Sequence, residues 1–159
     1  EDGIRDLVRS RGLEMCIRDR TVELSGEGFA SRAGKRMLLP LNLFGAETYN
    51  LTRSRDRKQP LEITRGLSFK DHVELELPPG FDLEALPESV KLEGPYGSFS
   101  FDVTQTEVEG KIILLAERNY TINEGTWPAE KYNEFREFMS SIDSFSNLKA
   151  VIVAATLNN

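Results

Sequence analysis

Short runs in which apolar and polar residues alternate cover most of the chain from Thr21 onward, and turn-forming residues separate them. Such alternation places every second side chain on the same face of a sheet and is typical of antiparallel strands. The clearest example is the run 71–77, in which valine and leucine alternate with histidine and glutamate. It ends at Pro78, and the pair Pro79-Gly80 suits the centre of a type II turn.

The same pattern predicts further strands at 36–44, 61–65, 89–93, 99–103, 111–120 and 150–155. Pro40 lacks the N–H that a sheet ladder uses, so we expect an edge position or a bulge there. Glu109-Gly110 is expected to join its two flanking strands into an antiparallel hairpin. The continuously apolar last run predicts a strand in the interior of a sheet.

One segment follows a helical repeat instead, from Pro128 to Ile142. Its apolar stripe comprises Tyr132, Phe135, Phe138, Met139 and Ile142, while Asn133, Glu134, Arg136 and Glu137 are expected to face water. Thr126 is the expected N-cap, and the polar segment 143–147 is expected to end the helix. The sequence therefore predicts a mainly β fold: an antiparallel β-sandwich of about seven or eight strands, with one C-terminal helix inserted before the last strand.

Composition narrows the functional classes. The chain has 159 residues, 39% of them hydrophobic and 29% charged, with a net charge of −6 and one cysteine and one histidine. These counts exclude a disulfide framework, a haem site and a Cys/His zinc cluster, so no cofactor and no metal is expected. The acidic balance argues against nucleic acid as a partner. Apolar runs are too short for membrane insertion.

Residues 1–20 stand apart from this pattern. The stretch 15–20, Met-Cys-Ile-Arg-Asp-Arg, resembles the translation of an adaptor used in transposase-based DNA library preparation. We therefore expect 1–20 to be adaptor-derived or misread sequence outside the fold, and 21–159 to form a single β-sandwich domain of a longer protein. The alternative is an ordinary charged amphipathic segment.

Two residue sets invite a catalytic interpretation. Cys16, His72 and Asp82 occur in the chain order of a Cys-His-Asp hydrolase, which needs a thiolate activated by the imidazole. Cys16, however, lies in the adaptor-like stretch, and His72 lies on the polar face of its strand. Glu74 and Glu76 share a strand face at a spacing that loosely fits glycosidase carboxylates, but neighbours on one strand normally point in parallel into solvent. We expect no catalytic residue here.

Two other sets are candidate binding residues. Arg55, Arg57 and Lys58, with Arg53, give the polar connector 52–59 a basic character that suits an anionic polymer or a partner domain. The alternative is a solubilising loop. Trp127 and Tyr96 would form a glycan- or protein-binding surface if both rings were exposed on one face. Helical spacing indicates a core role for the other aromatic residues nearby.

Five blocks between Arg57 and Val153 occur together in the order of a known family. They are 57–63 (RKQPLEI), 73–81 (VELELPPGF), 86–93 (LPESVKLE), 96–99 (YGSF) and 127–138 (WPAEKYNEFREF). With these blocks the chain resembles the domain of unknown function at the C-terminus of bacterial transglutaminase-like proteins. Residues 21–56 look like the strand region just before that domain.

The resemblance implies a β-sandwich that follows a papain-like transglutaminase core, and in such proteins the core holds the Cys-His-Asp site. No catalytic residue is carried over, because no part of that core matches this chain. The implied function is a non-catalytic accessory domain that packs beside or positions the core of the same parent chain, in the periplasm or at the cell surface. The alternatives are a glycan- or protein-binding module and a self-contained cysteine hydrolase using Cys16 and His72.

Overall fold

The computed structural model describes residues 21–26, 28–43 and 51–155. The interpretation of 1–20 as adaptor-like sequence, and with it Cys16, lies outside these residues. The strands described are β1 (Ser31–Ala33), β2 (Arg36–Pro40), β3 (Leu61–Ile63), β4 (Leu67–Glu76), β5 (Phe81–Ala85), β6 (Val90–Gly94), β7 (Gly97–Val108), β8 (Lys111–Ile122), β9 (Gly125–Trp127) and β10 (Lys149–Ala154). Helix α1 (Tyr132–Ser146) follows a short 3-10 turn, Ala129–Lys131.

All strand pairs described are antiparallel. One four-stranded sheet has the order β1-β2-β10-β5, a second has the order β4-β8-β7-β6, and β3 pairs with β9. The last strand lies between β2 and β5, which confirms the interior position that its apolar run predicts. The predicted class is confirmed: the fold is mainly β, with antiparallel sheets and one C-terminal helix before the last strand.

Several strands are longer than the apolar pattern predicts. The hairpin of β7 and β8 turns at Glu109-Gly110 as expected, but its ladder runs from the pair Gly97–Ile122 to the pair Val108–Lys111. Residues 104–111 are all exposed. The apolar pattern therefore marks only the part of each strand that covers the core, whereas the backbone ladder continues into solvent up to the turn.

Pro40 lies where β2 has become a local edge of its sheet. β2 lies between β1 and β10, but its pairing with β1 stops at Leu38, opposite Ser31. Pro40 lies past that point and is paired only with Lys149 of β10 among the described strands. The missing N–H therefore falls where β1 no longer requires a donor.

Helical structure begins near the predicted position, with the 3-10 turn at Ala129, but the predicted N-cap is wrong and the helix extends beyond its predicted end. Thr126 belongs to β9, where it pairs with Glu62, so it is not the N-cap. The α-helix begins only at Tyr132 and continues to Ser146. The polar segment after Ile142 stays helical because Phe145 stacks on Phe99 of β7, with ring centroids 6.3 Å apart, which attaches the last turn to the sheet.

One hydrophobic cluster joins both four-stranded sheets and the helix. Its least exposed members include Leu114, Ala150, Ile152, Phe99 and Met139. The core-facing side of the second sheet also holds an ion pair, because Arg118 of β8, 5% exposed, donates to Asp71 of β4 at 2.5 Å. The Arg118 guanidinium lies 5.3 Å from the centre of the Phe69 ring. Pairing and ring contact together offset the cost of burying this charge.

Gly97 allows a direct test of how closely β7 approaches β8 in the second sheet. Its φ is +145°, and a Cβ built there would lie 1.8 Å from the carbonyl oxygen of Thr121 on β8. We expect Gly97→Ala to lower the free energy of unfolding by about 3 kcal/mol, because β7 must move away from β8.

The matched control is Gly110→Ala in the hairpin turn. Its φ is +77°, but an added Cβ meets open space, so the expected loss is only about 1 kcal/mol of backbone strain. Urea unfolding followed by circular dichroism measures both. Equal losses for the two variants would contradict the close approach at Gly97.

Candidate functional site

The structure brings the predicted aromatic binding residues together, but it does not expose both of them. The ring centroids of Tyr96 and Trp127 are 5.2 Å apart. Tyr96 is only 1% exposed, since Phe135 and Phe138 of α1 pack against its ring at 5.3 Å and 6.0 Å. The condition that both rings be exposed is therefore not met, because the helix covers Tyr96. Trp127 is half-buried against the core.

The Tyr96 hydroxyl has a structural partner. It donates a hydrogen bond to the backbone carbonyl of Lys131, with 3.1 Å between the oxygens. Burial raises the pKa of Tyr96, and the Glu134 carboxylate raises it further, so the phenol stays a donor at neutral pH. This bond ties the turn between β6 and β7 to the residue just before α1.

The start of α1 also holds the basic connector, which we define as residues 52–59. The Tyr132 hydroxyl donates to the carbonyl of Thr52 at 3.0 Å. The Asn133 side chain bonds both backbone groups of Ser54: its amide nitrogen donates to the carbonyl at 2.8 Å, and its oxygen accepts from the N–H at 3.4 Å. The side-chain amide thus gives Ser54 the two backbone hydrogen bonds that a neighbouring strand would give, in a segment that pairs with none of the described strands.

Arg57 is the third attachment of the basic connector to the helix. Its guanidinium carbon lies 4.3 Å from the centre of the Tyr132 ring. Nε donates to the carbonyl of Gln59 at 2.9 Å, and Nη2 donates to the carbonyl of Pro60 at 3.2 Å. Of the predicted binding residues, Arg57 therefore has a clear structural use, since a cation over an aromatic ring is favourable and its donors stiffen the chain beyond it.

The remaining basic residues of the connector are exposed. Arg53, Arg55 and Lys58 form neither hydrogen bonds nor ion pairs within the ranges that the structure describes. Asp56 lies among them and is exposed as well. The result is a small cationic surface on a chain whose net charge is −6.

The structure places His72 on the outer face of the second sheet, as the alternation predicts. Its Nε2 lies 3.2 Å from Glu74 and its Nδ1 lies 3.2 Å from Glu117 of β8. These hydrogen bonds, the one to Glu74 first, raise the pKa of His72. Asp82 belongs to β5 in the other sheet, and both imidazole nitrogens contact glutamates instead.

The other carboxylate pair separates into two surface ion pairs. Glu74 contacts His72, while Glu76 accepts from Lys111 at 2.9 Å. Both glutamates are exposed, which matches the interpretation of this strand face as solvated. Pairs of this kind contribute little to stability.

A shallow cleft of about 230 Å³ lies near the Pro78–Gly80 turn and the first residues of β8. Its lining includes the Glu76–Lys111 ion pair but no residue of the connector. Across the described ranges there is no cluster of three His, Cys, Asp or Glu side chains arranged to hold a metal ion. Nor does any described helix have the length and apolarity needed to cross a membrane.

Sequence reasoning missed the attachment of the connector. Asn133 was expected to face water, but it is half-buried and bonded to Ser54, which lies 79 residues earlier. Tyr132 was predicted as a core residue and is buried, yet its hydroxyl and ring face also serve the connector. No local sequence pattern predicts a contact between residues so far apart in the chain.

Asn133→Ala should release the middle of the basic connector. Trypsin cleaves after exposed arginines, and it needs a locally unfolded chain. We expect cleavage after Arg53 and Arg55 to become about five to ten times faster, because the two bonds to Ser54 are lost. Mass spectrometry of the peptides over time measures this.

The control for that experiment is Asn147→Ala at the other end of the helix, where the side chain bonds the carbonyl of Asp143. It should leave cleavage in the connector unchanged. If both variants are cleaved there at the wild-type rate, Asn133 does not hold the connector.

The histidine cluster predicts a pH-dependent signal. His72 is the single histidine of the chain, so its imidazole resonance is unambiguous. We expect NMR titration to give a pKa above the ordinary value of about 6.5, and Glu74→Gln with Glu117→Gln to return it toward that value. Because the folded-state pKa is raised, the stabilisation by this cluster is complete below the unfolded pKa and disappears as the pH rises through the folded pKa. An unshifted wild-type pKa would contradict these contacts.

Comparison with known proteins adds the family. Residues 35–152 match the model of a family described as a domain of unknown function with a solved structure, DUF3858. Comparisons with curated proteins and with solved structures find no match. The predicted resemblance to a domain of unknown function is confirmed, and its link to a transglutaminase-like core stays a prediction. Since the match spans β2 to β10 and includes the connector and the helix, the chain belongs to the DUF3858 family.

Proposed function

We propose that this chain is a non-catalytic accessory domain that packs beside a papain-like, transglutaminase-like core of the same parent chain and positions it. The observation that carries this proposal is the fixed path of the basic connector across the start of α1. Three side chains, those of Tyr132, Asn133 and Arg57, hold a segment without regular structure against the helix.

A connector attached in this way differs from an ordinary surface loop. Loops are normally mobile and lose entropy when a partner orders them. Here the carbonyls of Thr52 and Ser54 already have partners on the helix. A surface that is ordered before binding loses less entropy on docking, which suits a domain whose role is to hold a neighbour in place.

The contacts of His72 also support a non-catalytic role. A catalytic imidazole directs one nitrogen at a nucleophile and the other at an orienting group. In this chain the two nitrogens contact Glu74 and Glu117, and all three side chains are about half exposed on the outside of the sheet. A self-contained cysteine hydrolase would have to break both contacts.

The partner and the location are parts of the same proposal. The family resemblance of residues 57–153 supports a transglutaminase-like core as the partner, and a periplasmic or cell-surface location. The net charge of −6 makes nucleic acid an unfavourable partner.

A glycan- or protein-binding module is the second candidate, favoured only by the partial exposure of Trp127. Glycan platforms use flat exposed aromatic rings, and burial removes Tyr96 from such a surface. A protein-binding role, by contrast, is compatible with the connector and overlaps with the main proposal.

The test uses the full-length parent protein and a version without the part equivalent to residues 35–152. We expect the deletion to lower kcat/KM for amine transfer to a glutamine-containing peptide by at least about tenfold, because a misplaced catalytic group is costly. Adding the 159-residue chain in trans should restore part of the activity.

The chain alone should neither hydrolyse nor transfer amides. Thiol-dependent activity of the chain alone that His72→Gln or Cys16→Ala abolishes would contradict the proposal. So would a deletion that leaves both kcat/KM and the Tm of the core unchanged.

A further inference from the structure

We propose that Arg53, Arg55 and Lys58 of the basic connector form a docking surface for an acidic protein segment. The inference rests on the proposed function for the identity of the partner, which would present this segment on the catalytic core. The chemistry of recognition, by contrast, depends only on the charge and exposure of the basic connector.

The basic connector has the opposite charge sign to the chain as a whole. Residues 52–59 contain four basic side chains and one acidic side chain, although the whole chain carries a net charge of −6. Three of the four basic side chains are exposed. Such a local reversal of sign attracts an acidic partner to this surface and repels it from the rest of the domain.

The exposed cations lie on a segment whose backbone is attached to the helix. The residues that contact the helix, Thr52, Ser54 and Arg57, are interspersed with the exposed Arg53, Arg55 and Lys58. The backbone is held at Thr52 and Ser54, and the exposed side chains belong to residues next to these attachment points. Binding then orders side chains only, which reduces its entropic cost.

Two acids in the first turns of α1 already have partners on the same helical segment. Lys131 donates to Glu134 at 2.6 Å, and Arg136 lies 3.6 Å from Glu137. The pKa of Glu134 is accordingly lowered, first by its hydrogen bond with Lys131. None of the described ion pairs includes Arg53, Arg55 or Lys58, so these cations remain available to carboxylates of another surface.

The kind of partner follows from the number and type of cations. Two arginines offer planar forks that match carboxylates in bidentate pairs. Nucleic-acid binding typically uses about six to ten phosphate contacts, more than a surface of three cations with Asp56 among them offers. An acidic protein segment is thus the best match for so small a surface.

The experiment measures binding of a labelled oligo-glutamate peptide by fluorescence anisotropy at low salt. The test variant combines Arg53→Glu, Arg55→Glu and Lys58→Glu. Its matched control combines Lys70→Glu, Lys91→Glu and Lys149→Glu, which reverses three exposed lysines on strands and changes the net charge equally. Circular dichroism checks that each variant is folded. If the test variant is unfolded, a variant with Arg53→Gln, Arg55→Gln and Lys58→Gln replaces it.

We expect the connector variant to weaken binding by about tenfold or more, and the control by less than about twofold. Wild-type binding should also weaken as salt rises. Equal losses in the two variants would overturn the inference, because the effect would then belong to net charge alone. Tighter wild-type binding to duplex DNA or to phosphatidylserine vesicles than to oligo-glutamate would overturn the choice of partner.

A second arm separates this inference from the proposed function, using the catalytic core of the parent as a separate chain. If the core binds wild type and the connector variant equally, the docking surface is wrong and the accessory role stands. If the core binds neither while oligo-glutamate distinguishes them, the accessory role fails and the docking chemistry stands.

Discussion

The buried phenol of Tyr96 is the contact on which the arrangement of the helix depends. It follows β6, precedes Gly97 at the start of β7, and is enclosed by Trp127, Phe135 and Phe138. Its hydroxyl bonds the backbone at Lys131, directly before the helix. One side chain therefore joins the second sheet, the β3–β9 pair and the helix start. Burial of a large aromatic ring drives this packing, and the hydrogen bond removes the cost of burying the hydroxyl.

The position of the helix start in turn determines the path of the basic connector. Tyr132 and Asn133 are the first residues of α1, and both bond the backbone of the connector. The connector has no strand neighbour among the described residues, so these side chains supply the partners that a sheet would otherwise give. The cationic surface is thus a consequence of core packing, and its geometry is linked to a buried tyrosine that carries no charge at neutral pH.

The apolar and polar pattern predicted those elements whose buried face can be seen in a short stretch of sequence. The alternation in 71–77, the hairpin at Glu109-Gly110 and the apolar run of β10 each report which faces are buried, and the structure agrees. β9 has only three residues and becomes a strand through its pairing with β3, so no pattern of its own predicts it. β5 does alternate, with Phe81 and Leu83 half-buried and Asp82 and Glu84 exposed, yet it was not among the predicted strands.

The residues around the helix start also depend on distant contacts that a local sequence pattern does not predict. Thr126 has the chemistry of an N-cap, but pairing with Glu62 draws it into β9. Trp127 and Tyr96 were predicted as a pair and do lie together, yet their exposure depended on where the helix would pack. Asn133 looked like a solvent residue because its partner, Ser54, is distant in sequence. Single-sequence patterns identify the elements here, whereas long-range contacts decide which polar side chains have partners.

The most direct test of this account is amide hydrogen exchange in Tyr96→Phe, which removes one hydroxyl and leaves every connector residue unchanged. We expect the Ser54 amide, the connector N–H that donates to Asn133, to exchange about fivefold faster than in wild type, as expected for the loss of one buried hydrogen bond. Exchange in the β7–β8 hairpin should be unchanged. A Ser54 amide that exchanges at the wild-type rate would show that the helix start does not depend on Tyr96, and would contradict the account.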